Sequence, residues 1–227
     1  MNRGAATNRG EAMIPQQDTI IIATQNKGKL KEFQLAFQSI GKRVLSMADY
    51  PQLPDIEEDG DTFTANALKK AKTMAEALNL PVLADDSGLC VERLDGAPGV
   101  YSARYAGGHG DDQANNAKLL AELGKLPPLE ADAEAPAGSR ILSPAQFVCV
   151  LVLYDPARQS FVEAAGSADG YIIDQARGNH GFGYDPLFYL PELGRTMAEL
   201  TPEEKERISH RGAAIRLMLE KLRSGTA

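Results

Sequence analysis

Two adjacent carboxylates and a hydroxyl, Asp85, Asp86 and Ser87, follow the apolar run Pro81-Val82-Leu83 and precede Gly88. Paired acids at the end of a short strand suit a metal site. On extended backbone, neighbouring side chains point to opposite faces, so one aspartate can look into a site while the other anchors the turn or binds elsewhere. Asp-Ser-Gly is equally ordinary turn chemistry. Upstream, Glu57-Glu58-Asp59-Gly60-Asp61 reads either as solvated acids before a helix or as the source of a partner for Asp86. Mg²⁺ takes one or two carboxylates and completes its octahedron with waters and substrate phosphates, which a split acid pair allows.

Three further segments carry chemistry. Thr24-Gln25-Asn26-Lys27-Gly28-Lys29 joins a strand to a helix, so its backbone N–H groups, with Lys27 and Lys29, form an anion site. The spacing Gly-x-x-x-x-Gly-Lys-Ser/Thr is absent, which removes the simplest P-loop nucleotidase or kinase reading. Gly178-Asn179-His180-Gly181-Phe182-Gly183-Tyr184-Asp185-Pro186 can press rings against a flat ligand: Phe182 or Tyr184 stacks on a base and Asp185 accepts from base N–H groups. A bend with an aromatic ring packed inward has equal weight. Thr201-Pro202-Glu203-Glu204 is a strong helix start, and Lys205 and His210 would lie about 140° apart on one straight helix. A shared ligand therefore requires a break near Ile208. Ser209 then caps a second helix whose inner stripe is Ile215, Leu219 and Leu222 and whose first turn turns His210 and Arg211 toward phosphate.

The elements that must position these residues follow from periodicity. The β-branched run Thr19 to Thr24 is a buried strand, and Leu30, Phe33, Phe37 and Ile40 recur as one helix face closed by Gly41. A second helix is expected over Thr64 to Leu78, with Phe63, Ala67, Ala71, Met74, Ala75 and Leu78 inward. Gly88 to Leu94 continues as strand, a glycine-rich loop holding His109 covers Gly96 to Gly110, and Asp111 to Leu123 reads as a polar surface helix. Pro127 to Pro144 is a Pro, Ala and Glu rich loop marking a lobe boundary. Gln146 to Tyr154 and Ser160 to Ala165 read as an antiparallel pair, with Gly170 to Ile173 as a third strand. The expected class is α/β: a mixed, elongated, twisted sheet flanked by helices, in two lobes with the substrate cleft between them. Residues 18–227 form one domain with a second lobe at about 145–190, after a disordered extension over 1–17.

Composition bounds the function. The chain has 227 residues, 43% hydrophobic and 24% charged, enough for a full core, and a net charge of −7 that argues against a nucleic-acid polymer as partner. Cys90 and Cys149 lie in apolar runs and read as buried thiols. With neither a signal-peptide pattern nor a membrane span, the expected setting is the reducing cytoplasm.

Taken in order, Thr24 to Lys29, Glu57 to Gly60, Ala84 to Gly88, Gly181 to Pro186 and Ser209-His210-Arg211 resemble the inosine and xanthosine triphosphate pyrophosphatase family over about Ile20 to Leu222. Gly96 to Tyr105 is similar too. The resemblance implies a homodimeric, Mg²⁺-dependent enzyme, with Mn²⁺ as a substitute, that hydrolyses ITP, dITP and XTP to the monophosphate and pyrophosphate and clears deaminated purines from the nucleotide pool. By motif, Thr24, Gln25, Asn26, Lys27, Gly28 and Lys29 would hold phosphates, and Asp86 would be metal ligand and general base, with Glu58 as the second metal-site acid. Ser87, Lys205, His210 and Arg211 would contact substrate, and Phe182, Gly183, Tyr184 and Asp185 would hold the purine. A metal-activated water would attack the α-phosphorus, leaving Asp85 a supporting role. Gln25 stands where many members have glycine, and the 127–144 insert is longer than the family pattern. Two rivals remain: a nucleotide-binding sensor without turnover, and a diphosphatase for another modified nucleotide.

Overall fold

The computed structural model describes residues 19–50, 53, 56–108, 110–130 and 133–224; the expected N-terminal extension and His109 lie outside them. The chain alternates strand and helix through its first half: β1 (Thr19–Ala23), α1 (Lys27–Gln38), β2 (Arg43–Ser46), α2 (Phe63–Leu78) and β3 (Val82–Val91). It continues with α3 (Asp112–Leu123), β4 (Ile141–Asp155), β5 (Ser160–Ile173), β6 (Phe188–Leu190), β7 (Arg195–Thr196), α4 (Pro202–Ile208) and α5 (His210–Ser224). The strands form one open, mixed sheet in the order β2-β1-β3-β4-β5-β6-β7. β2, β1 and β3 are parallel, joined by helical crossovers, and every later pairing is antiparallel.

Helices cover both faces where the strands carry apolar side chains. On one face Ala67, Ala71, Met74 and Ala75 of α2 pack on Ile21, Val82, Ala84, Val150 and Val152. Small residues on that stripe let the helix lie close. On the other face Phe33 and Phe37 of α1, with Ile215 and Met218 of α5, pack on Ile22, Leu83 and Leu151. A third cluster joins Leu119 and Leu123 of α3 to Phe147, Ile172, Tyr184 and Phe188. Two expected stripes are shifted. Ile40 lies beyond α1 and is 37% exposed while Ala36 takes the inner place, and on α5 Leu222 is exposed while Met218 is buried.

Three expectations about strands are corrected. Asp85-Asp86-Ser87-Gly88 is no turn: it lies inside β3, with Asp85 opposite Leu151, Asp86 opposite Val150 and Ser87 opposite Cys149 on β4. The parallel ladder with β1 ends at Ala84, so the two acids occupy the stretch where β3 has outrun β1 and opens onto a crevice. The segments expected as separate strands over Ser160 to Ala165 and Gly170 to Ile173 are one strand, β5, because its Gly- and Ala-rich middle is held in register by β4 from Tyr171 to Ser160. Within the 127–144 segment, residues 141–144 are strand, since β4 starts at Ile141. Pro144 is tolerated there because the β3 ladder ends at Ala145, so at Pro144 β4 has a partner only in β5.

Candidate active site

Asp86 opens onto a cleft of about 510 Å³ between β3, the start of α1, α2, the loop before α3 and the segment Phe182 to Asp185. Asp86 faces α2. Its Oδ2 accepts from Asn66 Nδ2 at 3.0 Å, and its Oδ1 lies 3.5 Å from Lys70 Nζ, which is also 2.8 Å from Glu58 Oε1. Arg104 donates to the Glu58 carbonyl at 2.8 Å. Burial, reinforced by the Glu58 and Asp85 charges, pushes the Asp86 carboxyl above its ordinary value despite Lys70 and Lys29. At Glu58 burial also opposes ionisation, but Lys70 prevails and the carboxyl is held low.

The opposite face of β3 is a buried ion chain. Asp85, buried with its side chain inaccessible, takes Lys29 Nζ at 2.5 Å on Oδ1 and Arg211 at 3.1 Å on Oδ2. Arg211 also donates to Ser87 Oγ at 2.7 Å and pairs with Glu32. Glu32 in turn holds Lys205 at 2.8 Å, and Lys205 reaches Asp185 Oδ2 at 2.5 Å. From Lys29 to Asp185 the charges alternate in sign, so each desolvated group has an opposite partner. Burial would raise the Asp85 carboxyl, but Lys29 and Arg211 overcome it and hold it far below the usual range. Asp185 goes the other way: burial outweighs Lys205 and raises it. Asp85 and Asp86, neighbours in sequence, are thus shifted in opposite directions, Asp85 held as an anion by its cations and Asp86 raised by burial.

The Thr24 to Lys29 segment is the strand-to-helix turn its sequence suggests. Asn26 caps α1, its Oδ1 accepting from Lys29 N–H at 3.0 Å, and Thr24 Oγ1 accepts from Asn26 N–H at 3.2 Å. Thr24, Gln25, Asn26 and Lys29 line the cleft, whereas Lys27 points to solvent and is not among the lining residues. Gly28 is the seat of the Phe182 ring: a Cβ there would meet the ring at 2.4 Å. Phe182 also lies 4.8 Å from Lys205 Nζ.

The Phe182 to Asp185 segment is braced from within. Asp185 Oδ2 accepts from Phe182 N–H at 2.9 Å, and the Tyr184 hydroxyl, buried, donates to the Ser102 carbonyl at 2.9 Å. Both rings line the cleft, Tyr184 buried and Phe182 partly exposed. The expected break at Ile208 is present. Ser209 caps α5, its Oγ accepting from Gly212 N–H at 3.1 Å. His210 and Arg211 both line the cleft. Burial, with Arg211 and Lys205 close by, drives His210 well below its ordinary value, so it is neutral, and it stacks on Phe147 at 4.8 Å. Arg211 is neutralised by Asp85 and Glu32.

Sequence reasoning missed Asn66, Lys70, Glu32 and Arg104. A signal existed for the first two. They are polar residues at helical spacing within the inward stripe of α2, beside Ala67 and Ala71, and a polar group on such a stripe must have a buried partner. Glu32 and Arg104 carried no comparable mark.

With the geometry in place, the comparisons with known proteins converge. A dITP/XTP pyrophosphatase of Geobacter sulfurreducens is 47% identical over 203 residues, 89% of this chain and 96% of the relative. One from Listeria monocytogenes is 49% identical, with 89% and 93% covered. Among solved structures, the Staphylococcus aureus Ham1 protein superposes with a TM-score of 0.74 at 42% identity, over 91% of this chain and 99% of that one. A HAM1 protein from Coxiella burnetii gives 0.75 at 39% identity, with 91% and 98% covered. The Ham1 family profile matches residues 20–221, and the chain belongs to the Ham1 family.

Proposed function

We propose that the chain hydrolyses the non-standard purine triphosphates dITP, ITP and XTP to the nucleoside monophosphate and pyrophosphate. The observation that carries this reading is the divergence of Asp85 and Asp86. Asp85 is locked as an anion between Lys29 and Arg211, while Asp86 faces the cleft with its carboxyl raised beside Glu58 and Lys70. A base near a scissile phosphate needs such tuning.

The donor set fits a hard divalent cation. Among the described residues no group of three or more His, Cys, Asp or Glu could hold a metal, but Glu58 and Asp86 share one ammonium, that of Lys70, and two carboxylates are what Mg²⁺ takes when phosphate and water complete its shell. Mg²⁺, or Mn²⁺ in its place, supplies charge neutralisation on the phosphate oxygens and Lewis acidity there. Asp86 accepts the proton of the attacking water as the bond to the α-phosphorus forms and pyrophosphate departs. Lys29, Lys70 and the α1 N-terminus, with Asn26 and Thr24, hold the departing phosphates. Ser87, Lys205 and Arg211 fix the nucleotide, and Gln25 and Gly28 shape the turn.

Phe182, Gly183 and Asp185 face the purine, with neutral His210 on Phe147 supplying a polar edge. A 6-oxo purine presents an acceptor and an N1–H where adenine presents the reverse, and mispaired buried groups are what discriminates. We read residues 18–227 as one domain, its second lobe at about 145–190 carrying the purine segment, and the active form as a homodimer. Among the described residues no helix is long and apolar enough to cross a membrane.

The experiment is a panel of nucleoside triphosphates with Mg²⁺, scoring pyrophosphate against orthophosphate. The expected result is pyrophosphate, fastest from dITP, ITP or XTP. Binding without turnover would favour a nucleotide sensor, and orthophosphate as product would favour another phosphatase.

A further inference from the structure

Helix α3 reads from sequence as a polar surface helix, and the chemistry above makes no use of it. Its first turns nevertheless grip the purine segment. Asp112 Oδ2 accepts from the Gly183 N–H at 2.7 Å, and Asn116 Nδ2 donates to the Gly183 carbonyl at 2.9 Å. Residues four apart lie on one face of a helix, so a single face of α3 holds Gly183 by both of its backbone groups. Gly183 has φ +62°, the left-handed region that glycine adopts most freely, and it lines the cleft between Phe182 and Tyr184. The grip is anchored, because Leu119 and Leu123 bury α3 in the same cluster as Tyr184. The Asn116 Oδ1 is buried and has no hydrogen-bond partner among the described residues. The Gly183 carbonyl is therefore the contact that orients the amide.

We propose that Asp112 and Asn116 are positioning residues for base recognition: α3 clamps Gly183 so that Phe182 and Asp185 are already in place at the purine end of the cleft when nucleotide arrives. This rests on the nucleotide reading above and adds the element that sets its base specificity. Glycine has the most conformational freedom to lose. Without the clamp the ordering of the segment moves into the binding step, which weakens purine binding and leaves the chemistry at Asp86 untouched.

The test is steady-state kinetics on the full chain with dITP and ATP, together with hydrogen exchange of the 181–185 amides. Asp112→Ala and Asn116→Ala are each expected to raise KM for dITP about five- to tenfold with kcat within about twofold, the scale of one lost hydrogen bond. Both should lower the preference for dITP over ATP and speed exchange at Gly183. Asp112→Asn keeps an acceptor oxygen and should restore both readouts, which a merely structural role would not require. Should Asp112→Ala fail to fold, Asn116→Ala alone decides. Unchanged KM and preference in an active protein, or a fall in kcat with KM unchanged, overturns the clamp. If the wild-type chain releases no pyrophosphate, the function reading fails instead, and dITP binding by calorimetry with exchange at Gly183 decides the clamp separately.

Discussion

Asp85 and Asp86 are separated by one peptide bond, and their tasks diverge because strand geometry sends them to opposite sides of the sheet. Asp85 meets two cations in a dry interior; Asp86 meets an amide, one shared ammonium and the cleft. Substitution should separate the two roles. Asp86→Asn should leave the urea midpoint near wild type and cut kcat by about 10²- to 10⁴-fold, the range expected for losing a general base; near-normal turnover with nucleotide bound would contradict the assignment. Asp85→Asn should instead destabilise the fold by about 3–5 kcal/mol in equilibrium unfolding, since Lys29 and Arg211 are left buried beside a neutral amide. The acid pair, the Thr24 to Lys29 turn and the Phe182 to Asp185 segment stood out in the sequence because each concentrates unusual residue types in a few positions. Glu32 did not: it is a single charged residue inside an ordinary helix, and only packing brings it to Lys205 and Arg211.

At the scale of elements, α5 can bring His210 and Arg211 to the cleft because it lies directly on β5. Gly166 permits that approach: a Cβ there would come within 2.4 Å of the His210 carbonyl and 2.5 Å of the Ala214 nitrogen. Those contacts are backbone and cannot rotate away. Gly166→Ala should therefore cost about 1–3 kcal/mol of stability, as overpacking does, and lower dITP turnover by displacing the first turn of α5, measurable by thermal melting and kinetics on the same sample. A variant with wild-type melting and activity would show that the helix has room to spare. The break between α4 and α5 was readable, because Lys205 and His210 are out of phase on one helix and Ser209 is a ready cap. The length of β3 and the continuity of β5 were not. Asp-Asp-Ser-Gly and Gly166-Ser167-Ala168-Asp169-Gly170 have poor strand propensity, and pairing with the long β4 imposes the conformation.

At the scale of the whole molecule, the buried ion chain and the neutral His210 couple stability to pH. His210 has its folded value well below the ordinary one, which is about 6.5. Between those two values the unfolded chain binds the extra proton, so stability rises with pH there. His210 thus contributes fully above about pH 6.5 and progressively less as pH falls toward its folded value. Asp85 is also depressed, so its contribution is full above about pH 4 and is lost only below that. Urea midpoints should decline in two stages, the first starting near pH 6.5, and His210→Gln should flatten the first while leaving the second. A wild-type midpoint constant between about pH 5 and 7 would contradict a buried neutral imidazole. The α/β class was legible as a whole from the alternation of β-branched runs and amphipathic stretches. The sheet order was not, since nothing local says which strand lies beside β4.

The proposed reaction is attack of water on the α-phosphorus of a non-standard purine triphosphate in the cleft beside Asp86. Hydrolysis of dITP in oxygen-18 water, with mass analysis of both products, addresses it most directly. One heavy oxygen is expected in the deoxyinosine monophosphate and none in the pyrophosphate. Label in pyrophosphate, or release of labelled orthophosphate, would contradict it.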